Sequence, residues 1–175
     1  MKILIAPDKF KGSLTATQVC DAIVNGIKIN NDKHEIISCP MADGGEGSLD
    51  IINNYLRLMP VELIVNDPLF RPIKSTYYIS DLTAYIEMSS ASGLTLLKKE
   101  EQNCMYTSSY GTGELIKDAI NKGITTINLY IGGSASNDGG MGIASALGFE
   151  FYNKFKKLLF PIGKNLESID YIDVG

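Results

Sequence analysis

Apolar residues run unbroken through KILIA at 2–6 and stop at Pro7, the pattern of a short strand buried on both faces. Val19, Ala22, Ile23, Gly26 and Ile27 then recur at offsets of 0, 3, 4, 7 and 8, and Thr15 with Gln18 forms a capping box, predicting an amphipathic helix over 15–29. EIISC at 35–39 reads as a second strand. Leu49, Ile52 and Leu56, joined by Ile51 and Tyr55, predict a second helix ending by Pro60. Residues 1–59 are thus β-α-β-α, the opening of a doubly wound parallel sheet.

The texture changes after Pro60. VELIV, DPLFRP, IKSTYYI and TAYIEM place β-rich segments around turn residues with no room for crossover helices, which predicts antiparallel pairing. GELIKDAINKG at 113–123 carries Leu115, Ile116, Ala119 and Ile120 on one helical side and stops at Gly123. ITTINLYI at 124–131 predicts a strand, Met141 to Leu147 a short helix closed by Gly148, and FEFYNKF a further strand. The expected fold class is α/β: part of a parallel-sheet domain in 1–60, followed by part of a smaller mixed α+β domain in 61–175. Two parallel strands are few, since packed sheets usually hold about four to six. NLESIDYIDVG at 165–175 shows no strand that could return to the first domain, so the completing half of that sheet is expected outside this sequence.

Composition narrows the classes. A chain of 175 residues that is 45% hydrophobic and 21% charged can build a core, and its net charge of −4, without a basic stripe, argues against a nucleic-acid partner. There is no apolar run of membrane-spanning length and no signal-type segment, so the expected location is cytoplasmic, with no membrane partner. Cys20, Cys39 and Cys104 are odd in number and lack a CxxC pair, which fits a reducing compartment. His34 is the only histidine, leaving little material for a histidine metal site or a Ser/His/Asp triad.

Chemistry gathers in three polar loops, each leading from a predicted strand to a predicted helix. PDKFKGS at 7–13 offers Lys9, Lys11 and Ser13 before the first helix, where an anion meets the helix N-terminus. MADGGEGS at 41–48 mixes glycine with acids. GGSASNDGGMG at 132–142 holds five glycines in eleven positions with Ser134, Ser136, Asn137 and Asp138, a composition suited to an oxyanion cradle. Asp8, Asp43, Glu46 and Asp138 serve equally as helix caps and turn residues, or as the one or two carboxylates that Mg²⁺ takes beside substrate phosphates. GxxxxGK[ST] and GxGxxG are both absent, which excludes a Walker-type P-loop and weakens a dinucleotide reading. The hydroxyl-rich EMSSASGL and TSSYGTGE loops suit a polyhydroxy acid or simply local caps, and Arg71 is either a carboxylate clamp or a surface arginine.

PDKFKGS (7–13), PMADGGEGS (40–48), EMSSASGL (87–94), YGTGELI (110–116) and IGGSASNDGG (131–140) resemble, in order and separation, the signature blocks of the glycerate kinase family of two-domain bacterial enzymes. The resemblance spans the whole sequence but only the N-terminal half of such an enzyme. Lys9, Ser136 and Cys104 depart from the residues usual there, which are Ser, Thr and Pro. What the resemblance implies is ATP-dependent phosphorylation of D-glycerate, giving 2-phosphoglycerate in preference to 3-phosphoglycerate. It also implies a Rossmann-like first domain whose second half returns from the C-terminal part of the chain. A truncated, inactive domain and a non-catalytic sugar-acid or phosphate-binding module are the competing readings.

Phosphoryl transfer needs positioning, charge neutralisation and a proton acceptor. On that chemistry Lys11, Ser13 and the loop of Gly132, Gly133 and Gly139 are expected to hold phosphate oxygens, with Ser134 and Asn137 hydrogen-bonding substrate or phosphate. Asp43 and Glu46 are the expected Mg²⁺ ligands, and Asp8 or Asp138 the expected proton acceptor.

Overall fold

Lys2–Ile5 (β1) and Glu35–Ser38 (β2) pair in parallel, Lys2 opposite Glu35 and Ile5 opposite Ser38, and form a sheet of their own. The computed structural model describes residues 1–175. Ala16–Asn30 (α1) crosses between the two strands, its buried Val19 and Cys20 resting on this ribbon. Thr15 caps it as the spacing predicts: Gln18 donates its backbone N–H to Thr15 Oγ1 at 3.2 Å, and Thr15 donates its own to Gln18 Oε1 at 2.9 Å.

Ser48–Leu56 (α2) ends where Arg57 turns left-handed (φ 48°), and Leu58 N–H donates to Asn53 Oδ1 at 2.7 Å. The next strand, Met59–Asn66 (β3), therefore contains Pro60 as its second residue. The proline does not mark the helix stop read from the sequence. β3 lies at the edge of its sheet, where a missing N–H leaves the ladder on the other side intact.

Pro72–Ser80 (β4) pairs antiparallel with β3, and Thr83–Glu87 (β5) antiparallel with β4, as the turn chemistry predicts. Thr126–Tyr130 (β6) then joins β5 in parallel, Ala84 opposite Ile127. This βαβ step runs through the short helix Ser89–Ser92 (α3) and through Tyr110–Asn121 (α4). α4 starts three residues earlier than its apolar spacing suggests, because Gly111 and Gly113 are packing positions: a Cβ on Gly111 would sit 1.8 Å from Asn66 O. The core lies between this sheet and the helices, with Tyr77, Ala84, Ile86, Leu115 and Ala119 fully buried. Burying a side chain such as Ile86 or Leu115 contributes about 1.5–3 kcal/mol.

Met141–Leu147 (α5) occupies the predicted span and closes on Gly148 at φ 110°. Glu150–Tyr152 (β7) is shorter than the run FEFYNKF suggested, and the C-terminal segment does contain a strand: Tyr171–Asp173 (β8) pairs antiparallel with β7 and not with β1 or β2. No helix is long and apolar enough to cross a membrane.

Candidate active site

The loop between β1 and α1 folds back on itself at its middle. Phe10 and Leu14 exchange backbone hydrogen bonds at 2.9 and 3.0 Å, putting Lys11, Gly12 (φ 72°) and Ser13 at the tip of a tight turn. Asp8 Oδ1 accepts from the Lys9 amide at 2.6 Å. Beyond the turn, the capping box satisfies Thr15 and Gln18, while the first two amides of α1, on Ala16 and Thr17, have no protein partner. α1 carries no acid in its first turn, so the positive end of its dipole is uncompensated.

The loop after β2 runs alongside, tied by Met41 N–H to Pro7 O at 2.9 Å. Gly44 and Gly47 take positive φ (82° and 86°), bending it so that Asp43 Oδ1 accepts from Gly45 N–H at 2.9 Å and from Lys9 Nζ at 3.1 Å. The Lys9 ammonium, aided by the Gly45 amide, holds the Asp43 carboxyl below the ordinary value. Asp43 Oδ2 makes no hydrogen bond, and Glu46 is exposed with no partner.

The glycine loop after β6 meets these loops only at its start. Gly132 donates to Gly44 O at 2.9 Å, and a Cβ on Gly132 would lie 2.5 Å from Gly45 Cα, so the two loops touch backbone to backbone. Gly133 (φ 77°) reaches the cleft, and its carbonyl accepts from Leu94 N–H at 2.9 Å.

Together the loops enclose a cleft of about 780 Å³. Asp8, Lys11, Ser13, Asp43, Glu46 and Gly133 line it, as does Lys9. Five carboxylates (Asp8, Asp43, Glu46, Asp50, Glu87) face two ammonium groups, so the lining is net acidic and disfavours an anion that arrives without a counter-cation. No three carboxylates cluster as a closed metal cage. The free Asp43 oxygen and the unengaged Glu46 instead fit a hard cation that takes one or two carboxylates and fills its remaining positions with phosphate oxygens and water.

The later part of the glycine loop turns away. Ser134 Oγ is engaged with Ser136, a Cβ on Gly139 would meet the Leu166 side chain, and neither these residues nor Asn137 and Asp138 line the cleft. Asp138 is 2% exposed, and its carboxylate accepts from Ser109 N–H (2.7 Å), Ser109 Oγ–H (2.8 Å), Gly140 N–H (3.1 Å) and Gly142 N–H (3.1 Å). Oδ2 takes three of these donors and Oδ1 one, so the group fastens the start of α5 to the start of α4, away from the residues that line the cleft. Arg71 is likewise engaged: its guanidinium bridges buried Asp67, at 2.5 Å, and Glu101, at 2.8 Å, and is not a substrate clamp.

Sequence reasoning marked EMSSASGL at 87–94 only as a block and assigned no place to Glu87 or Ser89 within it. Glu87, the last residue of β5, accepts from Leu49 N–H at 2.8 Å, and burial raises its carboxyl above the ordinary range while the amides of Leu49, Gly47 and Ser48 pull it back. An acid closing the buried alternation TAYIE was the available signal. Ser89 is nearly buried and lines the cleft wall against Gly133.

Residues 3–175 match the family model described as the glycerate kinase family. The chain belongs to the glycerate kinase family. A Haemophilus influenzae glycerate kinase is 44% identical over 99% of this chain and 47% of its own length. A glycerate 2-kinase of Escherichia coli K12 is 39% identical over 100% of this chain and 46% of its own. A crystal structure of a proposed glycerate kinase 2 from Salmonella typhimurium LT2 superposes with a TM-score of 0.77 at 37% identity, covering 99% of this chain and 47% of that one. The chain thus spans about half the length of the curated relatives it matches.

Proposed function

We propose that this member of the glycerate kinase family forms one wall of a site for ATP-dependent phosphorylation of D-glycerate, yielding 2-phosphoglycerate. The observation that carries the reading is the convergence of Lys11, Ser13 and the two unpartnered amides of α1 on a cleft whose opposite side holds Asp43 and Glu46. Cation, hydroxyl and helix N-terminus suit phosphate oxygens. Residues 1–60 and 61–175 are proposed as parts of two domains, with the cleft at their junction.

Asp8 is the proposed acceptor of the glycerate hydroxyl proton. It lines the cleft, keeps Oδ2 free, and has Oδ1 fixed by the Lys9 amide. Lys11 and Ser13 bind and orient the phosphate tail, Ser13 by donating its hydroxyl. Asp43 and Glu46 are the proposed Mg²⁺ ligands, and the bound cation would neutralise charge on the phosphates. Gly133 supplies the close-packed floor against which the substrate rests.

The test couples ADP release to D-glycerate addition, using this chain alone and joined to the C-terminal portion of the Haemophilus relative. ³¹P and ¹³C NMR identify the phosphorylated hydroxyl. ADP release that depends on D-glycerate and is abolished by EDTA is expected. Tight D-glycerate binding without turnover in the joined protein would instead make the chain a non-catalytic sugar-acid module.

A further inference from the structure

Two helices present their N-termini to the cleft, and only one is open. The first-turn amides of α2 meet Glu87, which reaches across from β5 to accept Leu49 N–H at 2.8 Å. The residue that would ordinarily cap α2 is Gly47, at φ 86°, which has no side chain with which to do so. α2 therefore receives its cap from the neighbouring sheet. The same seam carries the Gly132 N–H to Gly44 O bond of 2.9 Å, on the loop that leads into α2.

We infer that Glu87 is a positioning residue: as a built-in anion seated on the α2 N-terminus, it locks the Asp43–Glu46 loop against the four-stranded sheet and reserves the α1 N-terminus for the phosphate ligand. Three observations converge. The carboxylate satisfies a helix end that its own sequence leaves uncapped. Asp50 in the first turn of α2 adds a second negative charge there, whereas α1 has no acid in its first turn. Glu87 also lines the same cleft as Lys11 and Ser13, so its charge repels a phosphate from the α2 side. The ligand assignment rests on the kinase reading above; the lock does not.

The test is amide hydrogen exchange on the chain and on Glu87→Gln, Glu87→Ala and Glu87→Asp, with MgATP kinetics in parallel on the same variants joined to the C-terminal portion of the Haemophilus relative. Gln keeps an oxygen for Leu49 N–H, Ala removes it, and Asp keeps the charge but withdraws it by one methylene. Leu49 and Gly132 are expected to exchange about tenfold faster in Glu87→Ala and Glu87→Asp, to stay within about threefold in Glu87→Gln, and to leave Ile86 and Leu115 unaffected as fold controls. In turnover, Glu87→Ala raises the KM for MgATP about tenfold with a smaller effect on kcat, and Gln, which keeps the Leu49 contact but not the charge, restores it only in part. Unchanged Leu49 and Gly132 exchange in Glu87→Ala overturns the lock. A Glu87→Gln protein with normal exchange but no turnover makes Glu87 a catalytic group and overturns the positioning role. A wild-type joined protein without turnover defeats the kinase reading alone, because the exchange result stands without it.

Discussion

Lys9 Nζ sits 3.1 Å from Asp43 Oδ1, joining the loop after β1 to the loop after β2 across the cleft mouth. The ammonium is the largest influence lowering the Asp43 carboxyl from its ordinary 3.8. Because the folded value is depressed, the pair's stabilisation is present above the ordinary value and is lost as pH falls through the lowered one. Both side chains retain solvent access, so the effect on stability is small. The expected outcome is that Lys9→Met returns the Asp43 carboxyl toward 3.8 in a ¹³C titration and flattens that segment of the acid-unfolding curve. An unmoved Asp43 titration would show that the pair is not formed in solution.

Asp138→Ala leaves the buried amides of Ser109 and Gly142 without their acceptor, at about 1–3 kcal/mol for each unsatisfied group. Urea denaturation should show a loss of about 3 kcal/mol or more, with Asp138→Asn intermediate. Any ligand affinity that disappears should do so in proportion to the unfolded fraction. Loss of turnover in a fully folded, normally stable Asp138→Asn protein would return this residue to the chemistry.

The parts of the fold that were legible in the sequence are those decided by near neighbours. Thr15 and Gln18 are three residues apart and find each other whatever the rest of the chain does, and α5 is bracketed by Gly140 and Gly148, both at positive φ. Asp8, Lys11, Ser13, Asp43 and Glu46 were legible as cleft residues because the strand-to-helix loops of a parallel ribbon open at the same end; Gly133 joins them from the loop after β6, in the other sheet. The contacts of Glu87 with Leu49 and of Asp138 with Ser109 were not, since these partners lie 38 and 29 residues away in the chain. Pro60 misled for a related reason: its tolerance depends on β3 lying at a sheet edge, a property of topology that local pattern does not contain. The helix at 113–123 that makes the parallel β5–β6 crossover was legible, but the pairing partner of β6 was not, since it is fixed by packing between segments about 40 residues apart.

Gly132→Ala places a methyl 2.5 Å from Gly45 Cα and 2.9 Å from Gly44 O, all backbone, so one loop must move. Faster exchange of the Gly45 amide is expected, along with weaker MgATP binding by calorimetry and little change in the exchange of Tyr77 or Leu115 amides. Gly26→Ala, a helical site with open space around the added methyl, is the control that should leave binding unchanged.

Lys11 projects from the tip of the first turn into the cleft, exposed and without an ion-pair partner. Lys11→Ala is expected to weaken ADP binding about tenfold, in keeping with one charge-assisted hydrogen bond at an accessible site, and to make that affinity less sensitive to added salt. An unchanged salt dependence would remove Lys11 from the phosphate contact.

Where Gly132 meets Gly44 and Gly45, no side chain intervenes. At this seam the spacing of the two loops is therefore set by main chain, while the proposed chemistry of the cleft falls to Asp8, Lys11, Asp43 and their neighbours. Side chains at Leu94 and Thr95, which line the cleft, can therefore be resized without placing an atom in that backbone seam.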